Sequence, residues 1–169
     1  MTPKVTLNRQ DMHASYVMGT DTVAVCKLMG FQPREEIMGG KNRSEQNIEG
    51  YKAEFAVARY LQIDPPIMSW VTDYGVDLWY GDTAIDVKCS VKDELIFDKF
   101  SSFKADVAIL CAVRDSNVVE LRGWVSVADF EARAKDHDYG YGTRKIVSVG
   151  DLNPMDSFGN WASQNNLKT

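Results

Sequence analysis

The sequence is short of the soft residues that bind zinc or build disulfide scaffolds: its 169 residues contain three cysteines and two histidines. Cys26, Cys89 and Cys111 are odd in number, widely spaced and set in apolar stretches, so we expect buried free thiols in a reducing cytoplasm. His13 and His137 are far apart in the sequence, and neither has a partner at ligand spacing. These shortages argue against a zinc site and a disulfide-stabilised secreted domain.

Long apolar runs are also missing. No segment approaches the roughly 18–20 residues that a membrane-spanning helix needs. The first residues lack the charged and apolar regions of a signal peptide. We therefore expect no membrane association and a cytoplasmic location.

An excess of basic residues is the third absence. The formal net charge is −5, whereas proteins that bind DNA without sequence preference are usually basic because they neutralise phosphates. A metal-dependent nuclease is a partial exception, since its site needs several acids and the bound cation reverses the local charge. The net charge therefore weighs against a nucleic-acid partner without excluding one.

The residues that are present describe an ordinary globular protein. Hydrophobic residues make up 44% and charged residues 25% of the chain, which is close to the globular average. The order of patterns is helices, then strands, then a strand pair, a helix and a strand. This order predicts one domain over residues 1–169, of class α+β (mixed α/β), with a central sheet of about four to six strands flanked by helices. We divide it into a helical and loop region (1–46), a core (47–150) and a polar tail (151–169).

Apolar periodicity predicts the helices. Residues 10–28 form one or two helices, with Thr20 or Asp21 as the N-cap of the second and Gly30 as the stop. Residues 31–48 are polar and are assigned to a loop. Residues 47–61 carry a helical stripe that includes Tyr51 and Phe55. A third helix begins at Ser126, which with Asp129 resembles a capping box, and ends near residues 136–138.

Alternation and apolar runs predict the strands. The turn Gly81-Asp82 joins two of them as a hairpin. The most strongly apolar strand covers residues 105–113, and Trp124 in its partner is expected to be a core residue. The predicted strands are 67–71, 74–80, 83–91, 105–113, 118–127 and 144–149.

The second hairpin strand contains two of the candidate site residues. Its apolar residues Ile85, Val87 and Cys89 alternate with Asp86 and Lys88, so the two charged residues face the same side. Asp77 lies on the preceding strand, and hairpin pairing can bring it opposite or diagonal to Asp86. Carboxylate oxygens are the ligands that hard cations such as Mg²⁺ prefer, and a nearby lysine can orient an attacking water.

These residues resemble the motifs of the PD-(D/E)xK nuclease superfamily, which includes restriction enzymes, junction resolvases and phage or homing nucleases. The resemblance covers about residues 48–127. Glu54 corresponds to the family's helix glutamate, Asp77 to its first motif acid, and Asp86-Val87-Lys88 to its D/E-x-K triplet. Val76 stands where the family often has proline, and the buried strand then follows in the expected place.

The resemblance implies a restriction-endonuclease-like fold and a Mg²⁺-dependent endonuclease, with Mn²⁺ as a substitute metal. Asp77, Asp86, Glu54 and the Val87 carbonyl would bind the metal, and Lys88 would position the attacking water. It further implies a DNA substrate, a homodimer for cutting both strands, and a phage or mobile-element origin with action in the cytoplasm.

Each of these residues also has a plainer interpretation. Glu54 alone is typical of a solvated helix edge, Asp86 and Lys88 of a solvent-facing strand pair, and Asp77 of a cap at a hairpin end. The alternative function is a catalytically silent nuclease-like module that binds nucleic acid or a protein partner. Further candidate nucleic-acid contacts, each of which is also explained as a solvated side chain, are Lys41, Arg43, Ser90, Lys92, Arg144 and Lys145.

Overall fold

The structure, a computed structural model, describes residues 1–29, 42–67, 75–140 and 142–166. Within these ranges it has the predicted α+β class. The helices are α1 (Arg9–Leu28), α2 (Arg43–Leu61), α3 (Val127–Arg133) and α4 (Phe158–Asn166). The strands are β1 (Lys4–Thr6), β2 (Leu78–Tyr80), β3 (Thr83–Cys89), β4 (Glu94–Phe97), β5 (Val107–Asp115), β6 (Val118–Ser126), β7 (Lys135–Asp138) and β8 (Thr143–Ser148).

The strands form a mixed five-stranded sheet and a smaller antiparallel sheet. The large sheet has the order β1-β6-β5-β3-β2, and the small one has the order β4-β8-β7. β3 and β5 pair in parallel, whereas the other neighbours in the large sheet are antiparallel. The predicted central sheet of about four to six strands is confirmed. β2 and β1 are its two edges.

Each face of the large sheet is covered by its own apolar cluster. One face packs against α2 and α4, through residues such as Val57, Ile109 and Phe158. The other packs against α3 and the small sheet, through residues such as Leu110 and Phe130. Because side chains alternate along a strand, successive residues of β3 and β5 belong to opposite clusters, and the position of a residue fixes the face that it occupies.

α1 is one continuous helix, so the predicted N-cap at Thr20 or Asp21 is wrong. The Thr20 hydroxyl donates a 2.7 Å hydrogen bond to the carbonyl of Tyr16 within the helix, which satisfies the hydroxyl without ending the helix. Gly19 lies against α2, where an added Cβ would approach the nitrogen of Ile48 to 2.6 Å. The proposed stop at Gly30 lies outside the described residues.

α2 begins earlier than the sequence pattern indicated. Asn42 is its N-cap: the Asn42 side chain accepts a bond from the Glu45 N–H, and the Glu45 side chain accepts one from the Asn42 N–H. This capping box starts the helix at Arg43, so the loop assigned to residues 31–48 is wrong for 43–48. Residues 31–41 lie outside the described part of the chain.

α1 and α2 are joined by a charged pair. The guanidinium of Arg59 donates to both carboxylate oxygens of Asp11, from Nε to Oδ2 and from Nη2 to Oδ1 at 2.8 Å. Asp11 is buried, and its own N–H donates a 2.9 Å hydrogen bond to the side-chain oxygen of Asn8 at the start of α1. The bidentate bond, together with the negative charge, raises the pKa of Arg59. The pair fixes α1 on the helix that carries Glu54.

The segment from Asp151 onward is part of the core, so its description as a polar tail is wrong. Met155, Phe158 and Ala162 are buried. Trp124, confirmed as a core residue, donates its indole N–H to the carbonyl of Pro154 at 3.0 Å. Apolar residues placed one helical turn apart within a polar segment give α4 a single buried stripe.

The remaining differences concern the ends of predicted elements. The third helix stops at Arg133, and residues 135–138 form β7 instead of a last helical turn. Its N-cap is confirmed, because the Ser126 hydroxyl accepts a bond from the Asp129 N–H at 3.1 Å. The predicted strand at 67–71 falls mostly outside the described residues, and Ile67 belongs to no regular element. No helix in the described ranges is long and apolar enough to cross a membrane.

Candidate functional site

The hairpin of β2 and β3 places Asp77 beside Asp86. Tyr80 pairs with Thr83 across the Gly81-Asp82 turn, as predicted. Asp77 immediately precedes Leu78, the first paired residue of β2, and its N–H donates a 2.8 Å bond to the carbonyl of Ile85. Its carboxylate Oδ2 accepts a 2.6 Å bond from the N–H of Val87. Asp77 therefore contacts the residues on both sides of Asp86.

The carbonyl of Val87 points to the side of β3 on which Asp77 lies. In a strand, the N–H and the C=O of one residue lie on the same side of the chain. The Val87 N–H is directed at Asp77, so its carbonyl also faces the side of β3 that β2, which begins at Leu78, leaves uncovered. The carboxylate of Asp77 and the backbone carbonyl of Val87 thus lie on one side of β3.

Asp86 and Lys88 form a close ion pair. The Lys88 ammonium lies 2.6 Å from Oδ1 of Asp86. Asp86 is only 1% exposed, and a buried carboxylate needs a charged or hydrogen-bonding partner to offset the loss of water. The side chain of Lys88 is 39% exposed, so the pair extends from the interior to solvent.

The small sheet supports this pair from one side. The ammonium of Lys88 lies 5.2 Å from the ring centroid of Phe97 in β4. Phe97 stacks in turn on Phe103, with centroids 4.5 Å apart and ring planes within 6°. A cation over an aromatic face is favourable and restricts where the ammonium can lie. The sequence pattern could not identify Phe97, because the contact joins two separate sheets.

Glu54 lies on the helix that covers the other face of the large sheet. Its neighbours Ala53 and Phe55 belong to the apolar cluster that packs against α2 and α4. Burial raises the pKa of the Cys111 thiol, and the negative charge of Glu54 adds to this shift. Cys111 also faces α2, whereas alternation places Asp86 and Lys88 on the opposite face. The role of Glu54 as a further metal ligand stays a prediction.

The donor set fits a hard cation held by two carboxylates. Within residues 1–29, 42–67, 75–140 and 142–166, no group of three or more His, Cys, Asp or Glu side chains could hold a metal ion. Mg²⁺ commonly keeps several waters and uses only one or two protein carboxylates. Asp77, Asp86 and the Val87 carbonyl provide oxygen donors of that kind, with water left to complete the shell.

The candidate nucleic-acid contacts are scattered. Lys145 pairs with Phe97, the residue beside Lys88, and forms a 2.7 Å ion pair with Asp136. Arg144 forms an ion pair with Asp98.

The other candidate contacts come earlier in the chain. Arg43 is exposed in the first turn of α2, and Ser90 accepts a bond from the N–H of Lys92. The Lys92 ammonium lies 3.9 Å from the ring centroid of Tyr139. Lys41 is outside the described residues. Among the described residues, Lys92, Arg144 and Lys145 already have an acidic or aromatic neighbour.

Comparison with known proteins identifies no relative. No protein-family model, curated protein or solved structure matches the chain. The functional assignment therefore depends on the chemistry of the hairpin.

Proposed function

We propose that this protein is a Mg²⁺-dependent endonuclease that hydrolyses phosphodiester bonds in DNA, with its centre at Asp77, Asp86, Val87 and Lys88. The observation that supports the proposal most strongly is the hydrogen bond from the Val87 N–H to the Asp77 carboxylate. It brings two acids, a backbone carbonyl and a lysine together over a twelve-residue segment. The resemblance to the PD-(D/E)xK nucleases supports the same assignment.

The roles of the residues follow from their positions. Asp77 and Asp86 would hold the metal through carboxylate oxygens, helped by the carbonyl of Val87, and Mn²⁺ would be accepted by the same donors. When bound, the cation would offset the negative charge that develops on the phosphate. Lys88 forms an ion pair with Asp86 in the resting protein, which holds its ammonium where it can bind and orient a water beside the phosphate. The Phe97 ring limits the movement of that ammonium.

The proposal extends to assembly and location. One chain carries one such centre, so cutting both strands of a duplex calls for a homodimer, which sedimentation of the protein with and without duplex DNA would detect. Cys26, Cys89 and Cys111 are free thiols, which is typical of proteins in a reducing cytoplasm. A host cytoplasm would suit a phage-encoded nuclease equally.

A cleavage panel tests the activity. The substrates are duplex, nicked, branched and single-stranded DNA, and RNA, each incubated with Mg²⁺, Mn²⁺ or EDTA. We expect metal-dependent cleavage of at least one DNA, abolished by EDTA and slowed about 10²-fold or more in Lys88→Met, because positioned proton-transfer groups contribute that much. Lys135→Met, which removes an exposed lysine of β7, is the matched control and should cleave at the parent rate.

Two results would contradict the proposal. One is cleavage that Lys88→Met leaves unchanged, and the other is the absence of cleavage on every substrate in every metal. In the second case, salt-dependent binding of DNA or RNA without turnover would favour the silent binding module instead. That alternative draws support from the Asp86–Lys88 ion pair, which satisfies both charges without a metal.

A further inference from the structure

Trp79 is an exposed aromatic residue on the edge strand of the large sheet. Its two neighbours in β2 pack inward. Leu78 is buried in the apolar cluster that packs against α2 and α4, and the Tyr80 ring packs against Phe158 with centroids 5.5 Å apart. Trp79 itself is 60% exposed. Within the described ranges its indole has no hydrogen bond or ring contact. An indole left largely in water forfeits much of the stabilisation that its burial would provide.

Trp79 lies directly beside the proposed centre. It follows Asp77 by two residues, which in a strand separates their Cα atoms by about 6.5 Å. Trp79 pairs with Ala84 on β3, two residues before Asp86. A group that stacked on the indole would therefore lie within about one nucleotide of the carboxylate pair.

A lysine lies on the other side of Asp77. Gly75, at φ +80°, turns the chain into Asp77, and an added Cβ there would meet Cβ and Cγ of Lys104 at 3.3 and 3.4 Å. The stem of Lys104 thus runs along this turn, and the residue is exposed. The turn that leads into Asp77 therefore packs against the stem of an exposed lysine, and an exposed aromatic residue follows Asp77 two positions later.

A contact that does not depend on charge would compensate for the acidic net charge of the protein in binding a nucleic acid. A net charge of −5 and two acids at the centre give little general attraction for phosphates. Aromatic stacking is independent of charge and sequence, because every base has a π-face, and it contributes about 1–3 kcal/mol per base. In an intact duplex the bases are already stacked on one another, so an indole at the surface has no base to accept.

We infer that Trp79 is the stacking platform for an unpaired nucleobase next to the scissile phosphate, with Lys104 contacting the adjoining backbone. The inference rests on the proposed nuclease function and names its substrate class: single-stranded DNA, or DNA with unpaired bases at a branch or flap. Trp79 and Lys104 are binding residues and take no part in the proton transfer assigned to Lys88.

Binding without turnover tests the platform separately from cleavage. A fluorescent 12-residue oligothymidine, an abasic strand of the same length and a fully paired hairpin are titrated by anisotropy against the Lys88→Met protein. The titrations are made both in EDTA and in Ca²⁺. In that background we expect Trp79→Ala to weaken oligothymidine binding about 5- to 100-fold, as the loss of one stacked base implies. Trp79→Phe should retain most of the affinity.

Three controls sharpen the result. Tyr16→Ala removes an aromatic residue that is also 60% exposed but lies on α1, and it should bind as the parent does. The abasic strand carries the same phosphates without bases, so its affinity should be weak and unaffected by Trp79→Ala. Lys104→Ala should lower the salt dependence of oligothymidine binding by about 0.7 in log–log slope, the value for one phosphate contact on a single strand.

The inference and the nuclease proposal fail in different ways. Equal binding of oligothymidine and abasic strand, or parent affinity in Trp79→Ala, would overturn the stacking platform even if Lys88-dependent cleavage is found. Conversely, base-dependent binding that requires Trp79, in a protein that cleaves nothing, supports the platform and removes the nuclease.

Discussion

The carboxylate of Asp77 accepts a 2.6 Å hydrogen bond from the N–H of Val87, the residue between Asp86 and Lys88. This bond caps the start of β2, since it satisfies a backbone donor of β3 that lies beyond the first paired residue of β2. It also holds the first acid of the motif against the second. A structural role and the proposed metal-binding role therefore fall on the same side chain, and substitution can separate them.

Asp77→Asn and Asp77→Ala form the separating pair. The asparagine keeps an oxygen that can accept from Val87, so we expect the free energy of unfolding to stay near the parent value. The alanine leaves a buried N–H without an acceptor and should lower that free energy by about 1–3 kcal/mol. Both variants lose the charge that would bind the metal, so both should lose cleavage. Urea denaturation and the cleavage panel measure the two effects; an active Asp77→Asn protein would remove Asp77 from the metal site.

The C-terminal segment should be essential for stability. Phe158 is fully buried and packs on Trp124 and Tyr80, so Phe158→Ala should lower the free energy of unfolding by about 3–5 kcal/mol. Asn160→Ala, at an exposed position of α4, is the control and should change it by about 0.5 kcal/mol or less. Denaturant titration followed by tryptophan fluorescence checks both. A loss below about 1 kcal/mol in Phe158→Ala would show that α4 contributes little to the core.

Glu120 should make stability depend on acid pH. The hydrogen bond from Arg114, at 2.7 Å, lowers the pKa of this carboxyl below its ordinary 4.5. A lowered pKa in the folded state means that the stabilisation is present above the ordinary value and disappears as the pH falls through the folded one. Because the pair is near the surface, Glu120→Gln should cost less than about 1 kcal/mol at pH 7.

The difference between Glu120→Gln and the parent should shrink as the pH falls below about 4.5, the ordinary pKa of the carboxyl. Thermal unfolding from pH 7 to pH 2.5 follows this change. Glu131→Gln, an exposed position of α3, serves as the matched control. A difference that grows on acidification would mean that the carboxyl is not stabilised in its charged form.

Cys111 should be the least reactive of the three thiols. Burial raises its pKa well above the ordinary value, and the nearby Cys89 and Glu54 add to the effect. Alkylation requires an accessible thiolate, so native protein at pH 8 should take iodoacetamide at Cys111 at least about tenfold more slowly than at Cys26, because the Cys111 sulfur is buried and burial disfavours its thiolate. Peptide mass spectrometry after timed quenching gives the rates. Equal rates in native protein would contradict the burial of β5.

Local patterns predicted the elements that local forces decide. The alternation around Asp86 and Lys88 identified β3 and the shared face of the two charges, because residues two apart always share a side in a strand. The apolar run at 107–113 identified β5 for the same reason. The Gly81-Asp82 turn set the hairpin, which in turn brought Asp77 to Asp86.

The missed features depend on contacts that the sequence does not display. The start of α2 was hidden because Asn42 and Glu45 look like loop residues until their reciprocal bonds are seen. Phe97 supports Lys88 from another sheet. The exposure of Trp79 follows from β2 being an edge strand, and strand order is a property of the whole sheet. Periodicity says which side a residue faces and does not say what lies there.

The hairpin contact is local and the pairing of β1 with β6 is not, and this difference has a consequence for the order of folding. The Asp77–Val87 contact spans ten residues, and closing so short a loop is fast. β1 must instead pair with β6, a strand that is distant in the sequence, with Lys4 against Glu120. Such distant contacts form slowly. We expect the hairpin with its two acids to assemble early and the N-terminal strand to dock late. Damage to β1 should then speed unfolding while leaving the geometry of the centre intact.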